Sequence, residues 1–440
     1  MSVYNSLDSI TDELHKCMKC GNCMAVCPIY KETRQEVGVA RGKISLVEYL
    51  LAGELDMTEG LADRFSLCTT CMACNTNCPC GVRFDKIILA ARAEAVRKKG
   101  LHSVKKIAFT ALKMQRLFDL GMKTGSIFQG VALKHLPHKS DRIARMRFDV
   151  GIGTEKVFPM LAKKTLRSEF PEVIRVNNPK MRVAFFTGCM INYFYTDIGK
   201  AVVEVLNEND IEVVIPRGQG CCGIPASVNG DVVSARALAK RNLRAFEKLG
   251  ADALVVACSS GGTAWKHVFT ELLENDPEFK ALADKWAAKS YDISEFLIHK
   301  VPFKKEGLGR VQRKVTYHDP CHLNRGQGIS REPREILNSI PGVEVIEMKE
   351  PGRCCGMAGS FSIVHPDLSV QISDHKTADI ALTHTDTVAT GCPACRLQLK
   401  SGVENAGIEE EVVHTIQILA ESYRAGKKAN TLKKGGITPN

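Results

Sequence analysis

Residues 220–225 read GCCGIP and residues 353–358 read RCCGMA. Two adjacent cysteines followed by glycine are uncommon once, and this chain has them twice. Neighbouring thiols rarely close on each other as a disulfide without backbone strain. They project in different directions, which suits a centre with several metal ions better than one tetrahedral zinc. Each CCG motif sits inside a longer repeat. VAFFTGC at 183–189 resembles VTYHDPC at 315–321, and ALVVACSSGG at 253–262 matches DTVATGCPAC at 386–395. The corresponding cysteines lie 132 residues apart (Cys189, Cys321), 133 (Cys221, Cys354; Cys222, Cys355) and 134 (Cys258, Cys392). A nearly constant offset at three stations marks an internal duplication.

Each unit alternates strand and helix. In the first, RVAFF leads to TDIGKAVVEVLNEND, then IEVVIP, then SARALAKRNLRAFEKLG, then ALVVA. That order predicts a small α/β unit with a parallel sheet, its cysteines at the carboxyl ends of strands. Two such units, 181–305 and 306–426, are expected to pack as a pseudo-symmetric pair ahead of a polar tail at 427–440. The second offers five thiols: Cys321, Cys354, Cys355, Cys392 and Cys395. The first offers four, Cys189, Cys221, Cys222 and Cys258, with Gly261 standing where Cys395 stands in the second. Four thiols suit a cubane, a zinc ion or a centre with one non-cysteine ligand, and the sequence leaves these open. The glycine after each pair is expected to let the backbone approach the centre without a side chain in the way.

Two further runs lie near the N-terminus: CMKCGNCMAVCP at 17–28 and CTTCMACNTNCP at 68–79. Both have the C-x2-C-x2-C-x3-C-P spacing of bacterial ferredoxins, in which the fourth cysteine ligates the other cluster. Cys17, Cys20, Cys23 and Cys78 are therefore assigned to one [4Fe–4S] cluster, and Cys68, Cys71, Cys74 and Cys27 to the other. Gly21 and Ala73 are the small residues that let the backbone curl close. Zinc ribbons would instead show paired C-x2-C knuckles. Cys80 is spare and receives no role. Between the runs, Ile44, Val47, Leu50 and Leu51 have helical spacing, and FDKIILAARAEAVRKKG reads as a helix ended by Gly100. Residues 1–100 are expected to form a mostly helical two-cluster domain. The fold class is thus α+β multidomain: a helical ferredoxin-like domain followed by two duplicated α/β cysteine-rich units.

At 440 residues the chain is long enough for two to four domains. Eighteen cysteines in a protein expected to be cytoplasmic, with no apolar leader at its start, favour metal ligation over disulfides. No stretch approaches 18 uninterrupted apolar residues. The net charge of +11 is concentrated at 97–182, where twenty Lys or Arg face six Asp or Glu. The connector 101–180 reads as basic amphipathic helices, with Phe109, Leu112, Leu117 and Leu120 forming one face, then a looser stretch carrying Pro137, Gly151, Gly153 and Pro159. It either packs against the flanking domains or lodges on an anionic membrane surface, which would make the protein peripheral on the inner face of the membrane. No nucleic-acid recognition motif accompanies the charge, so nucleic acid is not expected as a partner.

Paired ferredoxin runs followed by two CCG units resemble the iron–sulfur subunit of glycolate oxidase. That family is shared with the anaerobic glycerol-3-phosphate dehydrogenase C subunit, lactate-utilisation proteins and heterodisulfide reductase subunits. ARGKISLVEYLLAGE and CCGMAGSFSIVHPDLSVQISDHK look most like the glycolate oxidase branch. The resemblance implies two [4Fe–4S] clusters on the ferredoxin cysteines. It also implies a noncubane iron–sulfur centre on Cys321, Cys354, Cys355, Cys392 and Cys395. The first unit departs from it: SSGG stands where many relatives have S-G-C-G, so its centre is iron–sulfur or zinc.

With no G-x-G-x-x-G strand–turn–helix and no Walker A loop, the chain has no evident hydride site of its own. The reading is an electron-transfer subunit of a flavin-dependent 2-hydroxyacid (glycolate or D-lactate) dehydrogenase. FAD would sit only on a partner dehydrogenase subunit, and a quinone or another iron–sulfur protein would accept the electrons. The alternatives are heterodisulfide-reductase-like chemistry at the second CCG centre and a zinc-bearing assembly protein. His318 and His322 flank Cys321, and His365 follows Cys355 by ten residues. They either tune the centre and shuttle protons or are ordinary satisfied histidines.

Overall fold

The short loops of the two ferredoxin-type runs set the start of the fold. In the computed structural model, which describes Tyr4 and residues 6–136, 143–147 and 157–434, single helical turns Asn22–Ala25 and Ala73–Thr76 carry the third cysteine of each run. A left-handed residue precedes each turn: Gly21 at φ 87° in one, Met72 at φ 59° in the other. The tight bend therefore falls on Met72, one residue before the Ala73 expected from the sequence. The helices Ala40–Leu51, Glu59–Ser66 and Phe84–Lys99 enclose the runs and bury Ile44, Val47, Phe65, Ile87 and Ile88.

The connector is helix Ser103–Lys113 followed by helix Gln115–Ala132. Phe109 is buried and Leu112 packs against the core of the first unit. Leu117 and Leu120, however, are 56% and 59% exposed. The expected single packed face does not form, because Met114 (φ −95°, ψ 68°) interrupts the helix between the two pairs. The stretch expected to be loose contains an antiparallel sheet of β1 (Leu133–Leu136), β2 (Ile143–Met146) and β3 (Val157–Pro159). Pro159 lies in β3, whereas Pro137, Gly151 and Gly153 are outside the described residues.

The first CCG unit is a sheet of β4 (Val173–Ile174), β5 (Met181–Phe186), β6 (Ile211–Val214), β7 (Ala253–Val256) and β8 (Ser290–Asp292) in the order β4-β6-β5-β7-β8. Only β4 runs antiparallel. The second unit repeats the parallel part: β9 (Arg313–His318), β10 (Val343–Val345), β11 (Thr387–Thr390) and β12 (Glu411–His414), in the order β10-β9-β11-β12. Every parallel strand of one unit thus has a counterpart in the other at the same place in the sheet. Buried residues from both sheets, among them Val183, Phe185, Val315 and Tyr317, belong to one apolar core. The helix Thr415–Lys434 takes in residues 427–434 of the segment expected to be a polar tail, and 435–440 lie outside the described residues. Buried Ile416, Leu419 and Tyr423 anchor its first half in that core.

Candidate metal centres

The chemistry gathers where strand ends meet the ferredoxin-type loops. Cys189 and Cys321 follow β5 and β9, while Cys258 and Cys392 follow β7 and β11 as N-caps of the next helices. The CCG glycines, Gly223 (φ 81°) and Gly356 (φ 89°), adopt a backbone that L side chains rarely take. A Cβ on Gly356 would sit 2.5 Å from the Ser369 carbonyl oxygen. The glycine is needed for the turn and for closeness to the next helix, in addition to any approach to a centre.

The two ferredoxin-type runs line two adjoining cavities. Cys17, Cys20, Cys23 and Cys78 face one, and Cys27, Cys68 and Cys71 face the other, with Cys74 bordering both. Cys80, given no role from the sequence, lines the first cavity too. Asn77 Nδ2 donates to the Asn22 carbonyl at 2.8 Å and ties the runs together.

In the second unit the five thiols form one set, buried except for the half-buried Cys321. Cys354 hydrogen-bonds Cys321 and Cys355, and Cys395 bonds both Cys355 and Cys392. The set reaches beyond its own unit in two directions. Cys354 also bonds Cys71 of the ferredoxin-type domain, and Cys392 bonds Cys258 of the first unit. Cys71, Ala73 and Ile29 share an apolar cluster with Cys354, Phe361 and Ile372. In the first unit, Cys221 bonds Cys189 and Cys222. The bond to Cys354, then burial, pushes the Cys71 thiol well above its ordinary pKa, and burial does the same to Cys74. Thiolates at such positions need a bound cation to stay ionised.

His318 is fully buried, with neither ring nitrogen hydrogen-bonded. A ring nitrogen lies within 4.8 Å of the Cys355 and Cys395 sulfurs. Burial drops its pKa to about 3, so the imidazole is neutral at physiological pH. An orphaned imidazole aimed at a five-thiol set fits a metal–sulfur centre, which supplies the missing acceptor. His322 is half-buried, its Nδ1 buried and also without a partner, and it borders a cavity of about 430 Å³ between the three domains. His365 is elsewhere: its Nε2 meets Ser66 Oγ at 2.9 Å in a separate cavity of about 180 Å³.

Sequence reasoning missed the buried or half-buried cations around these sets. Lys43 Nζ donates to the carbonyls of Gly38 and Leu67, the latter at 2.6 Å. Arg92 donates to the carbonyls of Phe65, Ser66, Cys68 and, across the domain boundary, Val228. Arg325 joins the Cys71 carbonyl (3.3 Å) to that of Gly352 (2.8 Å). In the sequence each lies in an ordinary amphipathic or loop stretch, and only the fold aims it at a cysteine loop.

Comparison with known proteins agrees with this layout. Residues 13–82 match the 4Fe-4S dicluster domain, and residues 183–263 and 315–400 match the cysteine-rich domain named CCG. A probable glycolate oxidase iron-sulfur subunit of Bacillus subtilis (strain 168) is 33% identical over 95% of both chains. A subunit of the dihydromethanophenazine:CoB–CoM heterodisulfide reductase of Methanosarcina mazei is 27% identical, over 93% of this chain and 94% of that one. The fold alone is shared with the crystal structure of a hypothetical protein from Helicobacter pylori (TM-score 0.55, 10% identity, 94% of this chain and 72% of that one). With its dicluster domain, its two CCG repeats and a full-length match to such an iron–sulfur protein, the chain belongs to the glycolate oxidase iron–sulfur subunit family of oxidoreductase components.

Proposed function

We propose that the chain carries electrons from the FAD of a partner dehydrogenase subunit, which oxidises glycolate or D-lactate, to a quinone or another iron–sulfur acceptor. The observation that carries this reading is the unbroken run of neighbouring thiols from Cys71 through Cys354, Cys355, Cys395 and Cys392 to Cys258. Iron–sulfur clusters, when bound, supply the one-electron steps that link a two-electron flavin to its acceptor. The chain's own part is to hold the thiolates of Cys17, Cys20, Cys23 and Cys78 in the cavity adjoining that of Cys27, Cys68, Cys71 and Cys74, and to set Cys71 against Cys354 of the second unit. Apolar packing around Cys71 and Cys354 keeps water from that junction.

The connector supports docking on an anionic bilayer, where a quinone is found. Val104, Ile107, Met114, Leu117, Leu120, Ile127, Phe128 and Val131 recur at mostly helical spacing and are each 52–71% exposed. Residues 101–136 hold six Lys or Arg and a single Asp, and that Asp119 is already paired with Arg167 and Tyr193. A basic helix with an exposed apolar stripe lies in a membrane interface without crossing it. No helix among the described residues is long and apolar enough to span a membrane.

The test is EPR of the anaerobically purified complex with its flavin partner. Cluster signals should appear on adding glycolate or D-lactate. Clusters that stay oxidised while the partner turns over would sink the reading. The second reading, disulfide cleavage at the second unit, is favoured by the cavity of about 430 Å³ bordered by Thr70, His322 and Arg325. Disulfide-dependent oxidation of reduced viologen by the isolated chain would select it.

A further inference from the structure

The two CCG units differ at two linked positions. Phe186 ends β5 where His318 ends β9, and Gly261 stands where Cys395 stands. A Cβ at Gly261 would lie 3.5 Å from Phe186 Cε1 and 3.1 Å from Val256 Cγ1. Apolar side chains therefore close over the space that the fifth thiol and the imidazole share in the second unit. The first unit lacks both groups.

Its fourth thiol has turned outward. Cys189, Cys221 and Cys222 are hydrogen-bonded in series. Cys258 instead bonds Cys392, and its coupling to Cys222 is through space only. It packs against the apolar cluster that contains Cys355, Cys392 and Cys395, as well as against the first unit's own core and the shared one. The fold holds it there. The turn Ser259–Thr263 lies on the helix Cys321–Gln327: Gln327 Nε2 donates to the Ser259 carbonyl at 2.9 Å, and Thr263 Oγ1 to the His322 carbonyl at 3.1 Å. A Cβ on Gly262 would meet Gln327 Oε1 at 2.7 Å, so a side chain there would displace the Gln327 amide that ties the two units.

We propose that Cys258 is a ligand of the second unit's centre, given across the interface as a sixth thiolate beside Cys321, Cys354, Cys355, Cys392 and Cys395. Cys189, Cys221 and Cys222 then form a separate three-thiol set that Cys258 does not complete. The inference rests on the reading of an iron–sulfur centre in the second unit. One chemical consequence follows: a protein thiolate at this place competes with any external thiol for the same metal.

The experiment uses the full chain, purified without oxygen and reduced with dithionite, as wild type, Cys258→Ser, Cys258→Ala and Cys189→Ser. Iron, sulfide and zinc contents and EPR spectra are recorded with and without added 2-mercaptoethanol. Both Cys258 variants should shift or lose the second centre's signal while the ferredoxin-type signals persist. Where the signal survives it should become sensitive to the added thiol, and Cys189→Ser should leave it unchanged. If Cys258→Ser and Cys189→Ser lose the same metal and keep the second centre's spectrum, Cys258 belongs to the first unit and the proposal is wrong. A wild type with no second-unit signal overturns it too, together with the iron reading of that unit. The electron-transfer reading is judged separately, by reduction of the ferredoxin-type clusters from the flavin partner.

Discussion

Cys71 and Cys354 hydrogen-bond to each other across the boundary between the ferredoxin-type domain and the second CCG unit. One comes from a run of thiols spaced for a cubane and the other from a CCG pair, so two thiol sets of different kinds meet directly. Cys355→Ser, one residue farther from the junction, should remove the second unit's centre and leave both ferredoxin-type clusters in place. Iron and sulfide analysis with EPR checks this. Contents equal to wild type would contradict the assignment of Cys355.

His318→Phe copies into the second unit the residue that the first unit has. A buried N–H donor to sulfur favours the reduced, more negative state, so its loss should lower the centre's potential. One hydrogen bond to a charged group is worth roughly 1–2 kcal/mol here, or about 40–90 mV for a one-electron couple. Iron content should not change. Redox titration followed by EPR reads both, and an iron loss would mean that His318 is a ligand.

The apolar stripe of the connector can be tested without touching a thiol. Ile107 and Phe128 are 71% and 63% exposed, so Ile107→Glu with Phe128→Glu should change stability by no more than about 0.5 kcal/mol per site. Binding to vesicles with anionic lipid should fall by at least tenfold in a flotation assay. Equal binding of variant and wild type, or wild-type binding that ignores lipid charge, would remove the membrane from the picture.

Asp292 caps the turn Ile293–Glu295, its carboxylate accepting from Ser294 N at 2.8 Å. Burial pushes its pKa up to about 7. The unfolded carboxyl titrates near 4, so the folded chain keeps a proton that the unfolded chain has lost. The resulting stabilisation is complete below pH 4 and disappears as pH rises through 7, an effect on the order of 4 kcal/mol. Asp292→Asn keeps a capping oxygen and cannot ionise. Its melting temperature should vary less between pH 4 and 8 than the wild type's and exceed it at pH 8. Parallel curves would show that Asp292 is not the titrating group.

Much of this protein was legible before any coordinates. Cysteines spaced by two or three residues announce themselves as sets, because so short a loop brings their thiols to one cavity. The 132–134-residue offset likewise foretold two sheets of the same strand order. The short strands β1–β3 were not legible: a sheet of three- and four-residue strands is set by what it packs on. Here Val157 N reaches Ser401 Oγ, and Arg145 reaches Asn405. Leu117 and Leu120 show the opposite failure, since an apolar period does not say whether a partner covers it.

The sequence alone determined how the cysteines group within each run and that the C-terminal half is doubled, since these are matters of short-range spacing and repetition. Only the tertiary structure decided which groups touch. Cys71 meets Cys354, Cys258 turns to Cys392 and Phe186 fills the place of an imidazole, because packing of one shared core sets the approach of segments far apart in the chain.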